Sequence, residues 1–362
     1  MTGSEKDNNL PPISVVIIGI NVERYLGDCI NSVLHGDYPE RLLEIIYVDG
    51  GSYDRSVETA RGFNDVRVIE LKDPHPTPGK GRNAGIAAAG HEIIQFLDAD
   101  TVLNPSWLRT AGPFLLKEGV AAVAGQIREK FPHKNLFHTI ADMEWGISAG
   151  KDGHVFAEGH TKTFGGIVLI RKEAVIAAGC YDTKLVAGED PDLSYRVRKQ
   201  GWTIYRIPVN MVMHDINMST FAQYLKRASR SGHAYAEIGL RYCREQEKYF
   251  LQQLLRICLG TLVPAGIVLA GMVLRRALAF MIAAAALIFR PLRKVRDFMA
   301  GSRSFFIALV YCVHLSLVVF PQFTGVLRYL YGRMTGRALQ NKGYQGQTEH
   351  RDNACSVSRR TA

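Results

Sequence analysis

EIIQFLDAD, residues 92–100, decides how the rest of the chain reads. Its apolar run, Ile93 to Leu97, is short and interrupted only by Gln95, the pattern of a strand covered on both faces. The run stops at Asp98-Ala99-Asp100, so two carboxylates fall at the strand's C-terminal end. That edge of an open α/β sheet is where ligands bind. Carboxylates one residue apart suit a hard divalent cation already shared with a diphosphate. An isolated Asp-x-Asp fits a solvated turn equally well, so its context has to decide.

Upstream, ISVVIIG (13–19) reads as a central parallel strand, followed by the loop Gly19-Ile20-Asn21 and a helix over 23–34. Residues 44–48 form a second strand, ending at Asp49-Gly50-Gly51-Ser52-Tyr53-Asp54, where Ser52 or Asp54 caps a helix over 55–63. A third strand covers 66–70. A Pro/Gly-rich loop (73–80) and a short helix over 81–89 then lead into the quoted stretch. Strand and helix alternate four times, which predicts a doubly wound α/β domain. The Gly79-Lys80-Gly81-Arg82-Asn83-Ala84-Gly85 segment is not a dinucleotide-binding fingerprint. Its third glycine is one residue late, and it precedes the fourth strand rather than following the first.

With 362 residues there is room for a domain of roughly 200–250 residues and further parts. The net charge of +10 is unevenly placed: residues 1–274 hold 30 Lys+Arg against 31 Asp+Glu, residues 275–362 hold 14 against 3. A basic excess confined to the apolar C-terminal quarter points to membrane flanks and argues against a nucleic-acid-binding face. Six scattered cysteines without metal spacing indicate a reducing compartment and no structural zinc. The polar N-terminus (1–11) lacks an apolar core for a cleaved signal and reads as disordered.

Five blocks, VVIIGIN, EIIYVDGGSYD, GKGRNAGIAAAGHEIIQFLDAD, FGGIVLIRKEAVIAAGCYD and GEDPDLSYRVRKQGW, resemble glycosyltransferase family 2 in order and spacing. The resemblance runs from about Pro12 to Gly232. It implies a GT-A fold with a mixed, mainly parallel sheet, a nucleotide-diphospho-sugar donor, and Mg²⁺ or Mn²⁺. It also assigns roles. Asp49 falls where the family contacts the nucleotide base, suiting the N–H of uracil and a UDP-linked donor, or else only caps its turn. Asn21 joins the donor-binding set. Lys80 and Arg82 are placed to present cations to the diphosphate, Arg82 with the better fork and Lys80 with solvation as the alternative. Asp98 contacts ribose or the metal shell, and Asp100 ligates the metal. Gly165 and Gly166 let a sugar approach the backbone. Asp190 is the general base, or else a helix cap, with Glu189 as runner-up. Asp192 belongs to the same acidic block, in a supporting role. His214, at a strand end, is either structural or a third metal ligand.

Residues 130–160 read as polar, irregular acceptor loop, with His133, His138, His154 and His160 as surface or acceptor-loop residues. Gln223 to Gly232 lacks the Gln-x-x-Arg-Trp of processive synthases, and Arg227 and Arg230 share a helical face able to meet a donor or acceptor diphosphate. The GT-A domain is expected over 12–235 and an amphipathic interfacial helix over 236–256. A membrane region with two or three spans follows over 257–327, then a basic, disordered tail over 328–362. Within that region the apolar runs are 257–274, 277–289 and 305–327, with a cytoplasmic basic loop at 290–296. The chain thus reads as an inverting, multi-pass enzyme of a cytoplasmic membrane, its catalytic domain in the cytoplasm. It moves one sugar to a lipid-linked or polysaccharide-precursor acceptor. A processive synthase and a non-catalytic membrane scaffold are the rival readings.

Overall fold

A computed structural model describes residues 10–147, 158–185, 187–245, 248–273 and 305–336, with Val295 alone between the last two. Residues 1–9, His154, the 277–289 apolar segment, the 290–296 basic loop as a unit and the tail beyond 336 lie outside the described residues.

Nine strands form one sheet. They are β1 (Ile13–Gly19), β2 (Leu43–Asp49), β3 (Val66–Glu70), β4 (Ile93–Asp98), β5 (Thr101–Leu103), β6 (Val120–Glu129), β7 (Gly159–Thr161), β8 (Val168–Arg171) and β9 (Thr203–His214). Their order is β3-β2-β1-β4-β8-β6-β9-β5, with β7 also paired to β9. The first four are parallel, β8 runs against both β4 and β6, and β9 is parallel to β6 and antiparallel to β5. The sheet is therefore mixed, as the sequence implied.

Helices cover both faces. Ile13, Val15 and Ile17 of β1 pack under α1 (Glu23–Leu34), beyond α2 (Ser56–Arg61), while Val16 points into a second core. That second core is covered by α3 (Pro78–Ala88). α4 (Trp107–Ala111) returns to the first face, where the Trp107 indole donates to the buried Gln95 amide at 2.7 Å. The one polar residue of the opening strand is thus a satisfied core group. α5 (Leu136–Ile147) lies against β6, and α6 (Lys172–Ala177) and α7 (Glu189–Lys199) complete the second face. α5 occupies 136–147 of the stretch expected as an irregular loop over 130–160, of which 148–157 lie outside the described residues. Asn135 caps it by accepting from the Phe137 and His138 amides, and Ile140, Ala141 and Met143 are buried.

The C-terminal half departs most from expectation. α8 (Phe221–Arg241) runs straight through the domain boundary expected at 235/236, and α9 (Tyr249–Val273) starts after a turn. No single interfacial helix covers 236–256. The physical reason is a buried stripe, Ala228, Gly232, Ala236 and Gly239, that continues past 235 and packs on the apolar helices. α10 (Phe305–Leu317) and α11 (Val319–Thr335) follow almost without interruption. α11 also overruns the tail boundary expected at 328 and stops only at the left-handed Gly336. α8 and α11 cross backbone to backbone. A Cβ on Gly232 would strike the Gln322 carbonyl, and one on Gly325 the Ser229 carbonyl.

Two helical stretches, Tyr249–Val273 and Phe305–Thr335, are long and apolar enough to cross a membrane. Their outward faces carry Leu259, Leu262, Leu269, Val273, Phe305 and Phe306, each more than half exposed. Large apolar surface of that extent marks contact with something other than water.

Candidate active site

The site forms at the C-terminal edge of β4. The chain turns sharply there: the Ala99 amide donates to Ile18, and the Thr101 hydroxyl to the Asp98 carbonyl. β5 then pairs with β9 so that Thr101 faces His214. This register sets Asp100 beside the imidazole, Oδ1 to Nε2 at 3.4 Å. His214 Nδ1 is buried with no hydrogen-bond partner. Burial works against the imidazolium, but Asp100 and, behind it, Asp98 together raise the His214 pKa.

Arg82, only 3% exposed, reaches this edge from α3. Its Nη2 meets Asp98 Oδ1 at 3.0 Å, and its Nη1 meets Glu189 Oε1 and Asp190 Oδ1, each at 3.3 Å. The guanidinium also lies over the Tyr181 ring at 5.4 Å. Burial alone would lower its pKa, yet Asp190 and Asp98 hold it firmly charged. Gly166 is part of this arrangement, since a Cβ there would collide with the Arg82 guanidinium. That is a different reason for glycine from close approach by a sugar. Around Gly165, by contrast, the space is open.

Asp190 sits in the first turn of α7, whose N-cap is Gly188. Its carboxylate makes no capping bond, so the capping alternative fails. Oδ1 is buried and has no hydrogen-bond partner. Burial pushes its pKa up to about 7, with Arg82 pulling down and Glu189 and Asp98 pushing further up. Burial raises the Asp98 carboxyl as well. Two of the carboxyls around this guanidinium are thus lifted from their ordinary range, as happens both in structural ion-pair networks and at acid–base sites.

Several expected residues stand elsewhere. Asp49 is 1% exposed and turned inward. It accepts from the Gly51 and Ser52 amides, the Tyr47 hydroxyl and the Ser52 hydroxyl, which leaves its oxygens saturated. It holds the β2–α2 turn. Asn21, at φ 55°, accepts from the Tyr53 amide and joins that turn to the β1–α1 loop. Lys80 bonds Asp73 at 2.6 Å and the His75 carbonyl at 2.9 Å, fixing the Pro/Gly-rich loop. Asp192 is fully buried and accepts from Arg196, Arg241 and Tyr242, clamping α7 to the end of α8. Arg82 serves as counterion to the acidic cluster. Arg227 is exposed on α8 with its guanidinium over Trp145, and Arg230, also exposed, faces Asp190 closely enough to act on it.

Of the histidines expected as surface or acceptor-loop residues, His133 and His160 are exposed, but His138 is completely buried. Its Nδ1 lies 2.9 Å from Glu129 Oε1. Glu129, His138 and Asp215 bring potential ligand atoms within 4.8 Å of one another. Glu129 already accepts from the Phe131 and Ile216 amides as well as from His138, so this network braces β6, α5 and the end of β9 behind His214. The sequence signal for it was a carboxylate ending an apolar strand nine residues before a histidine, too common to single out.

The donor set at the Asp98–Asp100 edge fits a hard or borderline divalent cation: carboxylate oxygens with an imidazole Nε2 directed at one of them. Residues 14–177 match the model of glycosyl transferase family 2. The chain carries a family 2 glycosyltransferase domain. AglE of Haloferax volcanii, named a glycosyltransferase, is 25% identical over 244 residues, 64% of this chain and 76% of AglE. Staphylococcus aureus TarS, a poly(ribitol-phosphate) β-N-acetylglucosaminyltransferase, is 31% identical over 105 residues, which span only 18% of its length. The fold of TarS 1–349 in complex with UDP-GlcNAc aligns at TM-score 0.53, with 14% identity and 92% of each chain covered. The mannosyltransferase PcManGT from Pyrobaculum calidifontis, solved with GDP-Man and Mn²⁺, aligns at TM-score 0.57. That alignment has 16% identity and covers 89% of this chain and 88% of the other. This glycosyltransferase therefore has the GT-A fold.

Proposed function

We propose that the enzyme transfers one sugar from a nucleotide-diphospho-sugar, with inversion, to a lipid-linked or polysaccharide-precursor acceptor at the cytoplasmic face of a membrane. The observation that carries this reading is the single Arg82 guanidinium joining Asp98 to Asp190. A base therefore stands within one side chain's width of the carboxylate edge that would hold the donor's diphosphate.

Asp190 accepts the proton of an acceptor hydroxyl while that oxygen forms its bond to C1 and the bond from C1 to the diphosphate oxygen breaks. The nucleoside diphosphate leaves, and direct displacement inverts C1. Asp100 and His214, with Asp98, would hold Mg²⁺ or Mn²⁺, which neutralises the charge growing on the departing diphosphate. Arg82 keeps Asp98 and Asp190 in place and balances their charge. With Asp49 turned inward, the preference for uracil loses the residue on which it rested. The relatives with bound donors hold UDP-GlcNAc in one case and GDP-Man in the other.

Single transfer is favoured over processive synthesis by Gln223, whose side chain is spent in a capping box with Thr220 at the start of α8. The membrane assignment is supported by the exposed apolar faces of α9 and α10.

The test is a donor screen on the full chain in membranes, covering UDP- and GDP-sugars with Mg²⁺ or Mn²⁺. Transfer or hydrolysis of one donor, lost in Asp100→Asn and on chelation, is expected. Failure to bind or turn over any nucleotide-sugar would sink the reading.

A further inference from the structure

A cavity of about 320 Å³ lies between the GT-A domain and the apolar helices. That volume is on the scale of a small-molecule site, about 300–1,000 Å³. α5 and α8 form one side, α10 and α11 the other. Trp145 is the wall it shares with the active site. Its ring stands edge-on to the His214 imidazole at 4.7 Å, and His214 is the neighbour of Asp100. Whatever fills the cavity is one side chain from the donor-binding edge.

The lining is built around His314 of α10, which is 6% exposed. Its Nε2 lies 3.2 Å from Glu144 Oε1 and its Nδ1 2.9 Å from the Tyr224 hydroxyl. Burial pushes the Glu144 carboxyl up, but the His314 hydrogen bond and Arg227 together bring it below its ordinary value. Glu144 is therefore a carboxylate, and Arg227 is its counter-charge. Gln322 of α11 completes the set: it is 7% exposed, and its Oε1 is buried without a partner.

A group entering this space meets a carboxylate and an unsatisfied amide oxygen, both of which demand donors. A phosphate or diphosphate brings only acceptor oxygens and two or more negative charges, and Arg227 is already opposed by Glu144. Sugar hydroxyls bring donors without charge. Trp145 and Tyr224 add flat apolar walls for the carbon face of a ring, leaving polar groups at the edges.

We propose that this cavity is the acceptor subsite, and that it grips the acceptor by an uncharged sugar residue rather than by a carrier phosphate. Glu144 and Gln322 meet the hydroxyls, Trp145 meets the ring, and His314, both of whose nitrogens are engaged, holds Glu144 and Tyr224 in position. The proposal rests on the glycosyl-transfer reading and deepens it. It also gives the C-terminal helices a part in specificity, because His314 and Gln322 come from segments outside the GT-A domain.

The test uses the detergent-solubilised full chain and methyl glycosides of glucose, galactose, mannose and N-acetylglucosamine as probes. Tryptophan emission reports binding, with Trp145→Phe as the control among the chain's three tryptophans. At least one glycoside should give a saturable change that Trp145→Phe abolishes and His314→Ala weakens by about tenfold, the scale of one lost hydrogen bond in a buried site. Tyr224→Phe removes one hydroxyl and keeps the ring, so it provides a weaker version of the same loss if His314→Ala does not fold. Citronellyl diphosphate should not compete. The proposal is overturned if no glycoside binds, if the variants leave binding unchanged, or if citronellyl diphosphate displaces the glycoside. Calorimetry with UDP and GDP plus Mn²⁺ in the same preparation separates the two readings. Nucleotide binding without any glycoside response removes only this inference. Glycoside binding without nucleotide binding removes the transferase reading and, with it, the assignment of the cavity to an acceptor.

Discussion

Asp190 and Arg82 set the chemistry at the scale of single residues. A base must be ionised, and burial lifts Asp190 to about 7, so kcat/KM should rise with pH through about 7 and level off above it. Asp190→Asn should cost about 10²–10⁴-fold in turnover, while donor binding measured by calorimetry persists. The sign for stability is opposite. The unfolded carboxyl ionises near about 4, so the native state holds a proton longer and loses stability as the pH climbs from there through 7. Denaturant midpoints of Asp190→Asn should lack that decline. Arg82→Met tests the counterion. It strands Asp98, Glu189 and Asp190 together, and a loss of about 3–5 kcal/mol in urea unfolding is expected for one broken buried charge set. A midpoint unchanged from the parent would mean these carboxylates do not depend on Arg82. Asp49→Ala should behave as a turn mutation, losing about 1–3 kcal/mol from the unsatisfied amides. The KM for the donor should stay close to the parent's; a KM raised tenfold or more would return Asp49 to the nucleotide site.

Elements show which parts of this were legible in sequence and why. β1 and β4 are legible because each is an apolar run with one polar residue, Ser14 or Gln95, bounded by turn chemistry, and the Asp98-Ala99-Asp100 edge is local to one strand. The ties of Arg82 to the acidic cluster are not legible in sequence because its three partners come from β4 and α7, up to 108 residues away. No periodicity encodes that meeting. Asp49 is ambiguous for the opposite reason: its partners at 51 and 52 are so local that a satisfied turn and a binding residue share one pattern. α5 hid in a polar stretch, since its buried face, Ile140, Ala141 and Met143, is narrow and begins behind Asn135. α8 was cut in two because its contact with α11 uses small residues, which carry little hydrophobic signal. Gly232→Ala or Gly325→Ala should force that crossing apart. A loss of about 1–3 kcal/mol, the ordinary cost of overpacking, is expected in thermal unfolding. The acceptor cavity should loosen with it, because Gln322 lies at the contact. Unaltered melting in both variants would mean that the crossing is not close-packed.

At the scale of the whole molecule, two kinds of surface are joined by α8. The GT-A domain buries its largest apolar side chains, Trp107, Tyr47 and Phe96 among them, in two cores on either side of the sheet. α9 and α10 do the reverse, leaving Leu259, Leu269, Val273 and Phe306 more than half exposed. Two modes of attachment to a membrane would suit such a chain, and they differ in what releases it. If the basic residues of the C-terminal quarter held it to anionic headgroups, binding would fall away within the Debye length, about 3 Å at 1 M salt. If the apolar faces lie in hydrocarbon, salt should have little effect, since burial of apolar area is not screened. The second is expected from the outward faces of the two long helices. Membranes washed with 1 M salt (on the order of the screening limit just given) and then with alkaline carbonate should retain the full chain in the pellet, and detergent should release it. Release by salt alone would assign the attachment to charge. Release by carbonate would mean that the apolar faces cover one another in a soluble assembly, and the acceptor would then not need a lipid carrier to reach the site.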